Sequence, residues 1–295
     1  SFEEYLAAAD IELFRMYLLI GNSVFEDKNY YEQLKQLYNI YCQIGGYPAV
    51  VEKYLSSGSL EIATKELRRI IETFLNESMR YFTDILDVSV FADIFLNICR
   101  ILAREKKGLE QDSIGEELQK LVVKDSTSNI SKATVVRAIN WLYHSGIIGF
   151  CGKIVELDIL DFKPGRRCYF MDLGIANFYM TQAGLDKASI NGTLNENYVY
   201  INLVKRLDFP QQIAFETPAF ATYKSGEIDF YVQSLKERTR YVIEVKSGKQ
   251  TGNTAKKALF DGKADYLLYL KGNTHGGVEG KIITRPIYTL ERFHF

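Results

Sequence analysis

Two short segments, Gly226-Glu227-Ile228-Asp229-Phe230 and Ile243-Glu244-Val245-Lys246, constrain the fold of this chain more than any other feature. If they pair as an antiparallel hairpin with Asp229 opposite Glu244, then Ile228 meets Val245, Phe230 meets Ile243 and Val232 meets Tyr241. The turn then falls at Lys236-Glu237, inside the polar run from Ser234 to Arg240. Strand side chains alternate between faces, so these apolar pairs share one face while Asp229, Glu244 and Lys246 project from the other. A slip of one residue would scatter both sets, and that fixes the register.

Two carboxylates held together repel by about 1 kcal/mol in water, and by more when partly buried. One of them is driven toward protonation unless a cation intervenes. Mg²⁺ (or Mn²⁺) removes the conflict, because it takes one or two protein carboxylates and fills its other positions with water and phosphate oxygens. Asp229 and Glu244 are therefore candidate catalytic metal ligands. Lys246 can orient or help deprotonate an activated water, or neutralise the pentavalent transition state of phosphodiester hydrolysis. Glu196, on a preceding helix, would supply a further carboxylate, directly or through water. Each residue alone has a plainer reading, such as a solvated strand face with an incidental ion pair; together they favour a metal site. Lys224, Lys249, Lys256 and Lys257 offer a local basic surface suited to DNA backbone, or simply to solubility. A buried Glu244 or Asp229 with no open cleft would argue against an enzyme.

Around these motifs the last third reads α-β-β-β-α-β: a helix over about 193–207, strands at 213–220, 228–233 and 240–247, a helix over 253–260, then strands at 266–270 and 282–290. The Gly-rich stretch 272–280 is expected to be a plain connection. From Ser1 to about Glu105 apolar residues recur at helical spacing, as in Leu34, Leu37, Tyr38 and Tyr41, which predicts a helical bundle. Ser59 is a candidate N-cap, and Gly45-Gly46 break the chain before Pro48 opens a new helix. Between them, a helix over about 114–123, a polar break at 124–129, a second helix capped by Ser131 and strands at 147–151 and 166–171 follow the order of a winged helix-turn-helix. Lys132, Thr134, Arg137 and Asn140 would face DNA if it binds. With two basic residues on that helix, a structural adaptor is the favoured alternative. The expected class is α+β: a helical region over 1–108, a winged-helix-like module over 109–182, and a C-terminal α/β restriction-endonuclease-like domain over 183–295.

A net charge of −1 over 295 residues excludes a global basic field but not a local patch. The four cysteines, Cys42, Cys99, Cys151 and Cys168, form no CxxC pair, which suits buried thiols in a reducing cytosol. The three histidines are too scattered for a triad or metal cluster, and no apolar run reaches membrane-spanning length. A cytoplasmic protein is expected. Because it opens Ser1-Phe2-Glu3-Glu4 without methionine, the chain is expected to be a processed product or a fragment.

Residues 193–290 resemble the PD-(D/E)XK nuclease superfamily, especially its Holliday-junction-resolvase-like branch, in which a GEIDF-type strand precedes an EVK strand. The resemblance implies Asp229 and Glu244 as metal ligands, Lys246 as the catalytic lysine and Glu196 as the helix acid. Ile228 stands where the family name has proline, a common variation. The segments SFEEYL at Ser1, IGGYPAVVEKYL at Ile44, ATVVRAINWLYHSGII at Ala133, CYFMDLGIANFYM at Cys168 and NENYVYINL at Asn195 resemble, in order, the C-terminal region of bacterial and archaeal AAA-type ATPases, catalogued as a domain of unknown function (DUF4143 class). That resemblance implies an ATPase domain in cis. No Walker A or B motif stands in this sequence, so ATP would bind only in that other domain. The expected function is a Mg²⁺- or Mn²⁺-dependent DNA endonuclease; the alternative is a non-catalytic DNA- or protein-binding regulatory module of the ATPase.

Overall fold

The computed structural model describes residues 1–21, 28–82, 89–105, 118, 120–122, 131–208, 212–246 and 252–295. The elements in chain order are α1 (Phe2–Ala9), α2 (Ile11–Leu18), α3 (Lys28–Ile44), α4 (Pro48–Ser57), α5 (Leu60–Tyr81), α6 (Ser89–Glu105) and α7 (Lys132–His144). Then come β1 (Ile148–Ile154), β2 (Phe162–Phe170), α8 (Leu173–Gln182), α9 (Lys187–Asp208), β3 (Ala219–Tyr223), β4 (Gly226–Gln233) and β5 (Arg240–Lys246). The chain ends with α10 (Asn253–Phe260), β6 (Tyr266–Lys271), β7 (Gly277–Glu279) and β8 (Ile282–Pro286). Among the described residues the fold is thus a mixture of helices with an eight-stranded mixed sheet.

Helix starts follow local chemistry. Ser59 Oγ accepts from Ile62 N, Ser131 Oγ accepts from Thr134 N, and Pro48 occupies the first turn of α4, where its missing N–H costs nothing. Of the helix expected over 114–123, Leu118 and residues 120–122 are helical; the rest, with the break at 124–129, lies outside the described residues. Among the described residues, no helix is long and apolar enough to cross a membrane.

Two compact units interleave along the chain, where three consecutive segments are expected from the sequence: Ser1–Ile40, Cys151–Pro164 and Leu194–Phe295 form one, and Tyr41–Phe150 with Gly165–Thr193 forms the other.

The first unit holds β3 to β8 with the last four residues of β1 and the first three of β2, in a sheet ordered β2-β1-β3-β4-β5-β6-β8-β7. β3, β4 and β5 are an antiparallel meander; β6 joins β5 in parallel after α10, and β8 joins β6 in parallel. Phe230 pairs with Ile243 and Val232 with Tyr241, the register the apolar pattern requires. Three details differ from expectation. Ile213 makes only an isolated bridge to Ser234, and β3 starts at Ala219, just after Pro218, which has no N–H for a ladder. Residues Ile287–Arg292 leave the last strand as a 3-10 helix. The Gly-rich connection holds β7, which pairs antiparallel with β8.

The first forty residues belong with this sheet rather than with a helical bundle. Phe2 packs edge-on against Tyr17 and Tyr38. The Tyr17 hydroxyl donates to the Tyr288 carbonyl at 2.8 Å, and the Tyr38 hydroxyl donates to Asn195 Oδ1 at 3.1 Å. Glu291 accepts from the backbone N–H groups of Phe2 and Glu3, placing a carboxylate at the positive end of α1.

The second unit is built on α4 to α8. Trp141 of α7 packs against Phe82 and Phe91, and Phe95 of α6 meets Phe170 and Tyr179. One joint within it is at Asp172, the N-cap of α8. That carboxylate accepts from Ile175 N at 3.1 Å and from Gly46 N at 2.7 Å. Burial pushes its pKa up, and N–H groups of Gly46, Ile175 and Gly174 hold it back. All four cysteines are buried thiols outside any disulfide.

Candidate functional site

Pairing of β4 with β5 brings Asp229, Glu244 and Lys246 to one side of the sheet. Lys246 Nζ lies 2.7 Å from Glu244 Oε2 and 3.3 Å from Asp229 Oδ2. The Val245 N–H donates to the same Asp229 oxygen at 2.7 Å, which fixes that carboxylate across the strand pair. The Glu244 side chain is only 3% exposed, against 16% for Asp229 and 25% for Lys246, so the cluster meets solvent on its Asp229–Lys246 side.

The electrostatics follow from this packing. Burial first, then the charge of Asp229, pushes the Glu244 carboxyl up to about 7, while Lys246 restrains the rise. Half-buried Glu196 on α9 adds to the same upward push. Burial opposes the charge on Lys246, but Asp229 and Glu244 outweigh it and hold the ammonium above its usual range. Among the described residues, no group of three His, Cys, Asp or Glu side chains is placed to hold a metal ion. Asp229 and Glu244 come together as a pair, and Glu196 acts on Glu244 through its charge. Two carboxylates are the donor set that Mg²⁺ or Mn²⁺ uses when water and phosphate complete its shell, so the residues fit such an ion.

The sheet face around the site is not polar, as alternation on two strands alone suggested. Tyr231, Val242, Leu267 and Tyr269 share an apolar cluster with Ala255 and Ala258 of α10. Two neighbours of Glu244 carry no motif in the sequence. Tyr269 is its register partner on β6, and its hydroxyl donates to the Gly252 carbonyl at 3.3 Å. Burial and the Glu244 charge push that phenol up to about 12. Gly252, at the N-cap of α10, lies so near that a Cβ there would strike the Glu244 carboxylate. Gly252→Ala should therefore displace that carboxylate, and if the pair takes up Mn²⁺ as its donor set allows, weaken that binding at least about tenfold, the usual cost of disturbing a ligand's support. Calorimetric affinity equal to the wild type would show that Gly252 does not shape the site.

The structure places the expected DNA-contacting residues unevenly. Lys224, Lys256 and Lys257 line one groove of the first unit, and Lys224 is ion-paired with Asp261 at 2.5 Å. Lys249 lies outside the described residues. Arg137 belongs to the second unit, its guanidinium 5.3 Å from the Phe82 ring centroid.

The family described as Domain of unknown function (DUF8612) matches residues 35–188, just over half of the chain. The chain belongs to that family. The DUF8612 match takes in the Gly45-Gly46 turn, Asp172 and helices α4 to α8, and it stops before Glu196, Asp229, Glu244 and Lys246. No curated protein and no solved structure matches the chain.

Proposed function

We propose that the sheet unit of this DUF8612 protein carries a Mg²⁺- or Mn²⁺-dependent DNA phosphodiesterase site of the PD-(D/E)XK kind. The observation that carries this reading is one ammonium, Lys246, within 3.3 Å of two carboxylates on adjacent strands, one of them buried. The order α9-β3-β4-β5-α10-β6, with β6 parallel to β5, supports it.

A divalent cation bound by Asp229 and Glu244 would polarise the scissile phosphate and activate water. The chain's own residues do the rest. Val245 N–H holds Asp229 in place, Gly252 leaves room for the Glu244 carboxylate, and the apolar surround strengthens every charge in the site. Lys246 would face the charge that develops on phosphate. Asp229, Glu244 and Lys246 are thus the proposed catalytic residues, with Glu196 as a further acid. The helix α7 with β1 and β2 is read as a winged-helix-like adaptor whose β1 also pairs in parallel with β3 of the larger sheet. The resemblance to the C-terminal region of AAA-type ATPases supports reading this unit as the partner of an ATP-binding domain.

One observation favours a second reading. Glu244 is 2% exposed, and the Lys246 ammonium already pairs with both carboxylates. On that reading the cluster is a closed structural ion pair, and the unit is a non-catalytic DNA- or protein-binding module of the ATPase.

Mn²⁺ calorimetry on the wild type, Asp229→Ala and Glu244→Ala, with nicking of supercoiled and branched DNA in parallel, decides between them. Binding and cleavage should both be present in the wild type and vanish in each variant. A wild type that binds no Mn²⁺, with or without DNA, would sink the nuclease and leave the module.

A further inference from the structure

Helix α10 joins the carboxylate site to a second feature. Gly252 at its start lies against Glu244, and its side and far end open on a groove of about 880 Å³. Helical spacing sets Lys256, Lys257 and Phe260 on its outer face, while Ala255 and Ala258 are buried on the inner one. That outer stripe is basic and ends in an aromatic ring that is 93% exposed. Lys256, Lys257 and Phe260 all line the groove, with Lys281 and the Lys224–Asp261 ion pair. With Glu279 included, four lysines stand there against two carboxylates, so the groove is net positive.

A ring so exposed adds little to the fold, because almost no apolar surface is taken from water. Its lysine neighbours select what can cover it. Phosphates complement the ammonium groups, and an unpaired base complements the ring, since every base presents a π-face. A duplex satisfies only the lysines, because its bases are already stacked on one another. We infer that this groove binds a single-stranded stretch of nucleic acid, with phosphates on Lys256, Lys257 and Lys281 and a base stacked on Phe260. The strand then runs along α10, about 12 Å for eight residues, toward Asp229 and Glu244. Only that destination rests on the nuclease reading; the binding itself does not.

The test is fluorescence anisotropy of the full chain in EDTA, with labelled oligo(dT) of about 20 nucleotides, longer than the usual site size. The wild type should prefer it to a duplex of equal length. Phe260→Ala, with an unchanged circular-dichroism spectrum, should weaken binding about tenfold. Lys256→Ala combined with Lys257→Ala should reduce the salt slope by about 1.4, the loss of two single-strand phosphate contacts. Absence of oligo(dT) binding by the wild type, or a Phe260→Ala variant that binds as well as the wild type, overturns the inference; in the first case a protein partner becomes the occupant to seek. Phe260-dependent binding without Mn²⁺-dependent cleavage would keep the groove and discard the nuclease. Cleavage with no effect of Phe260→Ala on binding would do the reverse.

Discussion

On the proposed nuclease reading, Lys246→Met is expected to lower Mn²⁺-dependent phosphodiester hydrolysis by about three orders of magnitude, the scale of losing a positioned proton-transfer or charge-stabilising group. Mn²⁺ binding should hold or tighten in the same variant. The reason is geometric: Lys246 Nζ lies 2.7 Å from Glu244 and 3.3 Å from Asp229, so it competes with any cation for both carboxylates. In metal-free buffer the substitution should instead be harmful. It leaves two carboxylates facing each other in an apolar surround, and stripping the partner from a buried ion pair costs about 3–5 kcal/mol. Calorimetry, single-turnover cleavage and urea unfolding in EDTA read the three effects separately. Loss of Mn²⁺ binding together with activity would show that Lys246 builds the site rather than serving the reaction.

The same cluster gives the metal-free protein a pH dependence of definite sign. Glu244 sits at about 7 in the folded chain against an ordinary 4.5. Between those values the folded state holds more protons than the unfolded state, so stability is fully present below about 4.5 and is lost as pH rises through 7. The Glu244 share of that loss is about 3 kcal/mol. Glu244→Gln should flatten the fall in EDTA between pH 5 and 8. In Lys246→Met, with the restraining cation gone, the fall should extend to higher pH. A wild type and Glu244→Gln with identical pH profiles would contradict this account.

Gly45→Ala should destabilise the DUF8612 portion by about 3 kcal/mol or more, and Gly46→Ala by under about 1 kcal/mol. Gly45 ends α3 in the left-handed region at φ 76°, where an L side chain is strained. An alanine Cβ there would also strike the Asp172 carboxylate and the Gly174 N–H. Asp172 cannot retreat, because it caps α8 through Ile175 and accepts from Gly46 N at 2.7 Å. Gly46 has a different constraint. Its backbone N–H does the work, its φ is not left-handed, and a Cβ would rest 3.4 Å from the Tyr41 hydroxyl. Two adjacent glycines thus predict opposite tolerances. Thermal unfolding of both variants checks them, and equal midpoints would refute the Asp172 joint.

Much of the site was legible in the chain because it depends on short-range rules. The two-residue period of a strand ties Asp229 to the face of Glu244 and Lys246, and apolar matching of Phe230 with Ile243 fixes their register. Helix starts at Pro48, Ser59 and Ser131 rest on a side chain or ring within three residues of the backbone groups it serves. Other features had no local signature. Tyr231 and Val242 showed that the site face is also a core face only once α10 lay across it, since alternation names the faces and not what covers them. Gly252 became a neighbour of Glu244, and Phe260 an uncovered ring, through the same placement. The first forty residues read as helices correctly, but helical period gives no partner. That Glu291 would cap α1 across 289 residues, and Tyr17 bond the Tyr288 carbonyl, was decided by tertiary packing. Sequence alone fixed the strand register and the cluster it assembles; long-range burial decided which units hold it and which surfaces remain open to a partner.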